Sequence, residues 1–506
     1  MNGRASEILM QDFEGRLHAM RKTKIICTLG PASDKEEVLL EMIKAGMNVA
    51  RFNFSHGSHE EQKMKMDMVR KARKKLGMPV AILLDTKGPE IRTGLYKDGK
   101  IEIKEGQTFT LTTRDVEGDS TMVSINYAGL PKDVSVGTKI LIDDGLIGFE
   151  VVSLTDTDII CKALNDGPLS NRKSVNVPGI KLNMEYISPK DHDDLVFGCK
   201  EKVDYVAASF ARNKQDMLDL RKVLDDNGGK NIAIIAKIEN MEGVENVDDI
   251  LDIADGIMVA RGDLGVEVDF ELLPMIQKAL IKKCIYRGKL VVTATQMLDS
   301  MTKNPRPTRA EVSDVANAVF DGTGAIMLSG ETGVGKYPVE TVRTMAKIAE
   351  NAENHMKYHS GGEFEDVHLG GDVITNAIAH AVCATSEDLN AKCIVAFTDS
   401  GFTANAVSCR KADKTIVGAT PDKTSFHKMA LYWGVQPCLV KRPKSGTDLY
   451  LQGVRAAVET VDAQVDDIIV ITAGMPVGRT PYTNTMRVMQ ITQDFIDLAF
   501  EDDFDE

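Results

Sequence analysis

The chain has no Cys-x-x-Cys pair, no apolar run of bilayer length and no excess of positive charge. Its eight cysteines, at positions 27, 161, 199, 284, 383, 393, 409 and 438, are scattered. That spacing suggests neither a disulfide framework nor a zinc site, and points to free thiols in a reducing cytoplasm. The opening MNGRASEILMQDFEGRLHAM is acidic and polar throughout and lacks the apolar centre of a secretory signal. With no stretch suited to crossing a bilayer, no membrane partner is expected. The formal net charge of −14 repels nucleic acid in general, so an anionic small molecule must find a local basic site. The placement of single Arg and Lys residues therefore carries information.

What the chain does have is length. Its 506 residues exceed the roughly 250–300 at which a single core stops growing, so several domains are expected. With 43% hydrophobic and 27% charged residues, each can bury a core of its own.

Short apolar runs that end in polar residues or Gly, and are followed by helical periodicity, recur eight times. They are 24–30, 47–53, 80–86, 204–210, 231–239, 256–263, 289–295 and 325–331. Most are apolar without alternation, as strands covered on both faces must be. Helices are expected between them, for example over 34–46, 213–229 and 308–322, opened by Asp, Asn or Thr and closed by Gly. Eight strand-then-helix units imply an α/β fold, a closed (β/α)8 barrel with its active site at the C-terminal ends of the strands.

The rhythm breaks over 88–186, where alternating stretches such as KIEIKEG, FTLTT and KILIDDG read as an inserted β-barrel lid. The acidic, Gly-containing HSGGEFEDVHLGGD at 359–372 reads as a linker. Runs at 393–397, 414–420, 435–440 and 466–472 then suggest a separate three-layer α/β domain. The expected division is 1–87 (barrel, first part, with a short N-terminal helix), 88–186 (lid), 187–355 (barrel, second part) and 356–506 (C-terminal domain).

Polar residues collect at the expected strand ends. Lys237 and Glu239, two apart, share one side of the pleat. By themselves they are an ion pair tying strand to helix; with Asp263 ending the next strand, two carboxylates beside a cation also suit magnesium. The RGDLG turn at 261–265 offers backbone N–H groups to an anion. Arg51 ends the second strand, as a barrel-end cap or as a fixed positive charge, and Asn53, Ser55 and His56 follow it. Asp85 and Thr86 end the third strand. Oxygens from Asn53, Ser55, Asp85 and Thr86 converge in a way that suits a hard monovalent cation. Cations, a metal site and anion-holding N–H groups at one mouth are the parts phosphoryl transfer requires. GETGVGKY at 330–337 matches the phosphate-loop pattern G-x-x-x-x-G-K, but Tyr337 stands where that loop needs a hydroxyl for magnesium.

With these motifs in hand, the chain resembles pyruvate kinases along nearly its whole length. The resemblance runs through KIICTLGPAS (24–33), MNVARFNFSHG (47–57), LLDTKGPEIRTG (83–94), IIAKIENMEGV (234–244), MVARGDLGVE (258–267), TATQMLDSM (293–301), PRPTRAEVSDVANAV (305–319) and MLSGETGVGKYP (327–338). It implies a barrel with an inserted β lid and a C-terminal regulatory domain. It also implies phosphoryl transfer from phosphoenolpyruvate to ADP, yielding pyruvate and ATP in glycolysis, with Mg2+ (or Mn2+) and K+. By the resemblance, Lys237 is the cation on the phosphoryl in flight, Glu239 and Asp263 hold the divalent metal, and Arg51 grips the substrate phosphate. Gly262, Asp263 and Thr295 receive the substrate carboxylate, and Ser329 and Glu331 serve the water relay that protonates the enolate. Asn53, His56, Arg92 and Lys173 take the nucleotide side, which requires the lid to close. Thr86, Lys87, Glu90 and Thr93 resemble the potassium-requiring branch, since the other branch has Lys where Glu90 stands.

In the last domain FTDSGFT (397–403) is either a turn capped by Ser400 or Thr403 or a phosphate-binding nest, joined by AGMPVG at 473–478. The resemblance implies a phosphorylated effector at Thr398, Ser400, Gly401 and Thr403, and a homotetramer. No further domain is expected after EDDFDE. Two rivals stand beside this reading: a carbon–carbon lyase on a similar barrel, which would need none of Lys173, the lid and the potassium cluster, and a metabolite-sensing or scaffold protein that has lost turnover.

Overall fold

The computed structural model describes residues 21–356, 373–477 and 482–501. The expected N-terminal helix, the linker at 359–372, Gly478 of AGMPVG and residues 502–506 lie outside the described residues.

Eight parallel strands close into a barrel in which each pairs with its sequence neighbours. They are β1 (Lys24–Thr28), β2 (Val49–Asn53), β3 (Ala81–Asp85), β4 (Tyr205–Ala208), β5 (Ala233–Ile238), β6 (Gly256–Ala260), β7 (Leu290–Ala294) and β8 (Ala325–Leu328), and β8 returns to β1. Both faces of the strands are covered. Ile26, Val49, Leu83, Tyr205, Ile235, Met258, Val292 and Met327 fill the interior. Alternate residues such as Ile25, Phe52, Leu84, Val206 and Ile234 meet the surrounding helices. Burying each such Val, Leu or Ile contributes roughly 1.5–3 kcal/mol relative to exposure.

The helices start where their caps dictate. Ser58 and Glu61 form a reciprocal capping box ahead of helix His59–Leu76, Thr308 and Glu311 do the same for Arg309–Phe320, and Asn213 caps Lys214–Asp226. Asp34 does not fill its expected role. Helix Glu36–Lys44 begins after Lys35, with no side-chain cap, and relies instead on Glu36 and Glu37 in its first turn, where negative charge complements the helix dipole.

Between β3 and β4 the chain forms a six-stranded sheet and a separate two-stranded ribbon over their own core of Phe109, Leu111, Ile140, Phe149 and Ile159. This differs from one closed β-barrel. Pro168 lacks an N–H and confines Gly167–Ser170 to the ribbon with Lys100–Ile103, and one helical turn, Leu130–Asp133, interrupts the strands.

The C-terminal unit is a five-stranded sheet in the order β11, β10, β9, β12, β13: β9 (Cys393–Phe397), β10 (Thr415–Thr420), β11 (Val435–Leu439), β12 (Ile468–Ala473) and β13 (Thr485–Gln490). The first four are those expected; β13 is an antiparallel edge that the sequence reading lacked. This unit seals the N-terminal end of the barrel. Ala430 and Leu431 join the barrel's interior core, the Tyr205 hydroxyl donates to the Lys428 carbonyl at 2.6 Å, and Lys24 Nζ donates to the Val435 carbonyl at 2.7 Å. Among the described residues no helix is long and apolar enough to cross a membrane.

Candidate active site

The inward columns of the barrel change character at its other end. Val49 leads to Arg51, Leu83 to Asp85, Ala207 to Ser209, and Ile235 to Lys237 and Glu239, each in steps of two along its strand. The period that buries an apolar side chain at the bottom thus aims a charged one into the mouth. Arg51 Nε donates to Asp85 Oδ2 at 2.6 Å and its Nη1 to the Thr28 hydroxyl at 2.8 Å. Lys237 Nζ lies 3.2 Å from Asp85 Oδ1, 2.9 Å from Glu239 Oε1 and 2.8 Å from Ser209 Oγ. Burial pulls the Lys237 ammonium toward its neutral form, but Asp85 and Glu239 outweigh it and hold the group above its usual range. Burial likewise lifts the Asp85 carboxyl, and Arg51 and Lys237 bring it below its ordinary value.

Glu239 and Asp263 behave differently. Burial raises both carboxyls above their ordinary range, Lys237 opposes it incompletely, and the like charge of Asp263 adds to the rise at Glu239. Phe210, in the left-handed backbone region, donates its N–H to Glu239 Oε2 at 2.6 Å. The cluster of buried Arg51, Lys237, Asp85 and Glu239 with half-buried Asp263 therefore holds two cations against three carboxylates. That surplus carboxylate fits a divalent cation. No group of three or more His, Cys, Asp or Glu side chains suited to a metal occurs among the described residues. Two carboxylates with positions left for substrate oxygens is the usual magnesium arrangement.

For the monovalent cation, Asn53 and Asp85 stand side by side in the register of β2 and β3. Asn53 Oδ1 accepts the Ser55 N–H at 3.0 Å, and Thr86 Oγ1 accepts the Ser209 N–H at 3.1 Å. The four residues supply oxygen donors only, which fits a hard cation, although both Asp85 oxygens already serve Arg51, Lys237 and Ser209.

The RGDLG turn opens helix Arg261–Glu267. The Gly262 N–H donates to Thr295 Oγ1 at 2.7 Å, and that hydroxyl donates to the Ala294 carbonyl at 2.6 Å, so two of the three groups expected to receive a carboxylate engage each other. Arg261, to which the sequence reading assigned no role, clamps the turn: it donates to the Thr295 carbonyl at 2.7 Å and pairs with Asp314 at 2.8 Å. Thr295 has φ 70°, a backbone state that such a clamp must hold.

Toward the lid, Lys173 pairs with Asp143 at 2.8 Å and Arg92 with Glu90 at 2.7 Å. Asn176 of the lid donates to Glu267 of the barrel at 3.0 Å. The crevice between them, about 190 Å³, is lined by Glu90, Asn176, Arg212 and Asp263. His56 is exposed, and its carbonyl accepts from Gln62 at 2.8 Å.

Glu331 is not a free acid. Its two oxygens accept the N–H groups of Leu298 at 3.1 Å and Ser329 at 2.7 Å, and it is buried. The phosphate-loop look-alike has a packing role: a Cβ on Gly30 would lie 2.5 Å from the Gly333 carbonyl, Ala32 donates to that carbonyl, and Thr332 donates to the Thr28 carbonyl at 2.9 Å.

In the C-terminal unit Thr398, Ser400 and Thr403 line a cavity of about 410 Å³ together with Gly474 and Tyr482. Neither Ser400 nor Thr403 caps the helix Phe402–Ser408. Gly401, at φ 92°, takes the N-cap position, its N–H bonds the Thr398 hydroxyl at 2.9 Å, and Thr403 Oγ1 is 2.8 Å from Thr483 Oγ1. Arg442, paired with Asp399 at 3.1 Å, brings to this cavity a basic residue that the sequence reading missed.

Among the missed groups, Ser209 was the most legible, since it continues the inward period of Tyr205 and Ala207. Thr28, Arg261 and Arg442 carried no local signal.

Residues 20–342 match the family description "Pyruvate kinase, barrel domain" and residues 376–489 match "Pyruvate kinase, alpha/beta domain". A pyruvate kinase of Staphylococcus saprophyticus is 50% identical over 472 residues, covering 93% of this chain and 80% of that one. One of Clostridium acetobutylicum is 47% identical over 479 residues, covering 93% and 100%. The crystal structure of a pyruvate kinase from Cryptosporidium parvum superposes with a TM-score of 0.88 at 38% identity, covering 94% of this chain and 97% of that one.

Proposed function

The chain belongs to the pyruvate kinase family, and from that premise we propose how its barrel mouth carries the reaction. The enzyme transfers the phosphoryl group of phosphoenolpyruvate to ADP, giving pyruvate and ATP, the last step of glycolysis. The observation that carries the mechanism is the Lys237 ammonium, held charged between Asp85 and Glu239 and fixed by Ser209. A cation already in place needs little reorganisation when charge shifts from the phosphate to the enolate oxygen.

In this reading Arg51 grips the substrate phosphate from β2, and Lys237 faces the phosphoryl in flight. The Gly262 N–H and the Thr295 hydroxyl give up their mutual bond and, with the Asp263 N–H, take the substrate carboxylate, which fixes the plane of the enol. Mg2+ or Mn2+ at Glu239 and Asp263 would neutralise the phosphoryl oxygens, and K+ would sit among Asn53, Ser55, Asp85 and Thr86. Asn53, His56, Arg92 and Lys173 meet the nucleotide, with Lys173 exchanging Asp143 for a phosphate oxygen as the lid closes. Ser329 belongs to the relay that brings a proton to the enolate carbon. Glu331 positions that loop through the two N–H groups it accepts.

The Thr398, Ser400, Gly401 and Thr403 cavity, with Arg442, suits a phosphorylated effector. A homotetramer in the cytoplasm completes the reading. A coupled assay of pyruvate formation from phosphoenolpyruvate and ADP, with Mg2+ and with or without K+, tests it. Turnover that requires Mg2+ and rises with K+ is expected; turnover unchanged when both are withheld would overturn the metal assignments.

A further inference from the structure

A third cavity, among the described residues, lies away from both sites above. It holds about 590 Å³ on the seam between the underside of the barrel and the C-terminal unit. That volume falls in the range of small-ligand sites, roughly 300–1,000 Å³.

Three elements meet there. Helix His59–Leu76 presents Arg70 and Arg73, the end of helix Pro189–Lys200 and the turn after it present Lys200 and Lys202, and helix Lys423–Lys428 presents Lys423 and His427. Against these five permanent cations stand two carboxylates, both already engaged. Glu201 takes Arg70 and Lys63, each at 3.1 Å, and Asp204 accepts the Ile82 N–H at 2.7 Å with Arg73 at 3.9 Å. Lys200, Lys202 and Lys423 are exposed and have no carboxylate partner among the described residues. In a protein of net charge −14, three unneutralised lysines around one cavity are an anion-collecting feature. His427 supplies a second, independent observation: its Nδ1 is buried with no hydrogen-bond partner. Burial first, then the neighbouring Arg73 and Lys423, hold its imidazole neutral. A neutral ring offers either a donor or an acceptor to a ligand.

We propose that this seam cavity binds a phosphorylated sugar, with the phosphate among Lys202, Lys423 and Arg73. The chemistry of the lining selects that class. Apart from His427 the cavity has no aromatic side chain on which a nucleobase could stack. It does have the Thr424 hydroxyl, the Asn231 amide and the Gly228–Gly229 backbone, which are partners for sugar hydroxyls. The bound molecule touches barrel and C-terminal unit at once, and so ties their relative placement to the concentration of a metabolite.

Calorimetric titration of the full-length protein with a hexose 6-phosphate tests this, run on the wild type, on a Lys202→Ala/Lys423→Ala double variant, and on a Ser400→Glu variant that fills the other phosphate-sized cavity. The double variant is expected to bind at least tenfold more weakly while its circular dichroism spectrum and melting profile match the wild type, because both lysines lie at the surface. The Ser400→Glu variant keeps the seam isotherm, His427→Ala weakens it several-fold, and the unphosphorylated hexose gives no heat. The proposal falls if the wild type does not bind the hexose phosphate. It falls equally if the double variant binds like the wild type, if Ser400→Glu removes all binding, or if inorganic phosphate binds as tightly as the sugar phosphate, which would leave only an electrostatic patch.

Discussion

Both ends of the barrel bury cations, and they treat them in opposite ways. At the mouth Lys237 and Arg51 are surrounded by carboxylates, so the low-dielectric interior keeps them charged. At the bottom Lys24 has a carbonyl for a partner, and Lys411 lies 4.3 Å from the Trp433 ring centroid with a carbonyl at 3.4 Å; burial pulls both amines down to about 7. The same strands thus concentrate charge at the mouth and shed it where the C-terminal unit docks. On the proposed mechanism, buried charge at the mouth is maintained for chemistry, whereas buried amine at the bottom is tolerated for shape.

Replacing Lys237 tests the first half of this contrast most severely. Lys237→Met is expected to lower kcat by at least ~10³-fold, the upper end of the loss for removing one preorganised charge partner. The fold should persist, because Asp85 retains Arg51 and Ser209, and Glu239 can retain a proton. Single-turnover ATP formation together with circular dichroism checks this. Substantial phosphoryl transfer by the variant would mean that the charge is kept for stability alone.

Next in size is the surplus carboxylate. Asp263→Asn should weaken Mn2+ binding by more than the ~10–100-fold typical of disturbing a metal's supporting shell. The pH dependence follows from the sign of the shifts. Burial raises the Glu239 and Asp263 carboxyls, and a metal needs them deprotonated, so wild-type Mn2+ affinity should fall as pH drops from 8 toward 6. In Asp263→Asn the like-charge neighbour is gone, Glu239 ionises more readily, and the slope should flatten. Titration followed by paramagnetic resonance reads both effects, and a slope identical in the two proteins would contradict the repulsion between the two carboxylates.

A smaller effect is expected from the monovalent cation. Replacing K+ by tetramethylammonium should lower turnover several-fold, and Glu90→Lys should make the remaining turnover indifferent to K+, since the new ammonium brings its own charge to the region. Equal wild-type rates in the two salts would remove K+ from the mouth altogether.

Much of this contrast was legible in the chain. The strands β1 to β8 and the four parallel strands of the C-terminal unit stand where apolar runs predicted them, because strands buried on both faces have few alternatives to continuous hydrophobicity. Arg51, Asp85, Lys237 and Glu239 were visible because a charged residue at the end of such a run costs too much to be incidental. Ser209 was passed over because a small hydroxyl in VAASF does not break the run, although the period of two points it inward. The edge strand β13 reads MRV between polar residues and shows neither alternation nor an apolar run. Nothing local announces the seam, where Lys24 and Val435 meet across 411 residues. Nothing local marks Arg261 as the clamp on Thr295 either, since its partners arrive from another strand and helix.

The smallest effect probes the bottom of the barrel, where only stability is at stake. Lys24 is pulled from 10.5 to about 7 chiefly by burial. Below about pH 7 the folded protein carries a buried ammonium and bears the cost in full. Between about 7 and 10.5 the unfolded chain keeps a proton that the folded chain has released, so stability rises with pH, by on the order of 1 kcal/mol per pH unit for this group. Lys24→Met removes that contribution and leaves the Val435 carbonyl without its donor, a loss of roughly 1–3 kcal/mol. The variant should therefore be less stable than the wild type at pH 9, and the gap should close or reverse at pH 6, while kcat is unchanged. Thermal unfolding across that range measures the difference directly. Two parallel stability curves would show that Lys24 keeps its charge in the fold, and the contrast between the barrel's two ends would then fail at the end where it is easiest to measure.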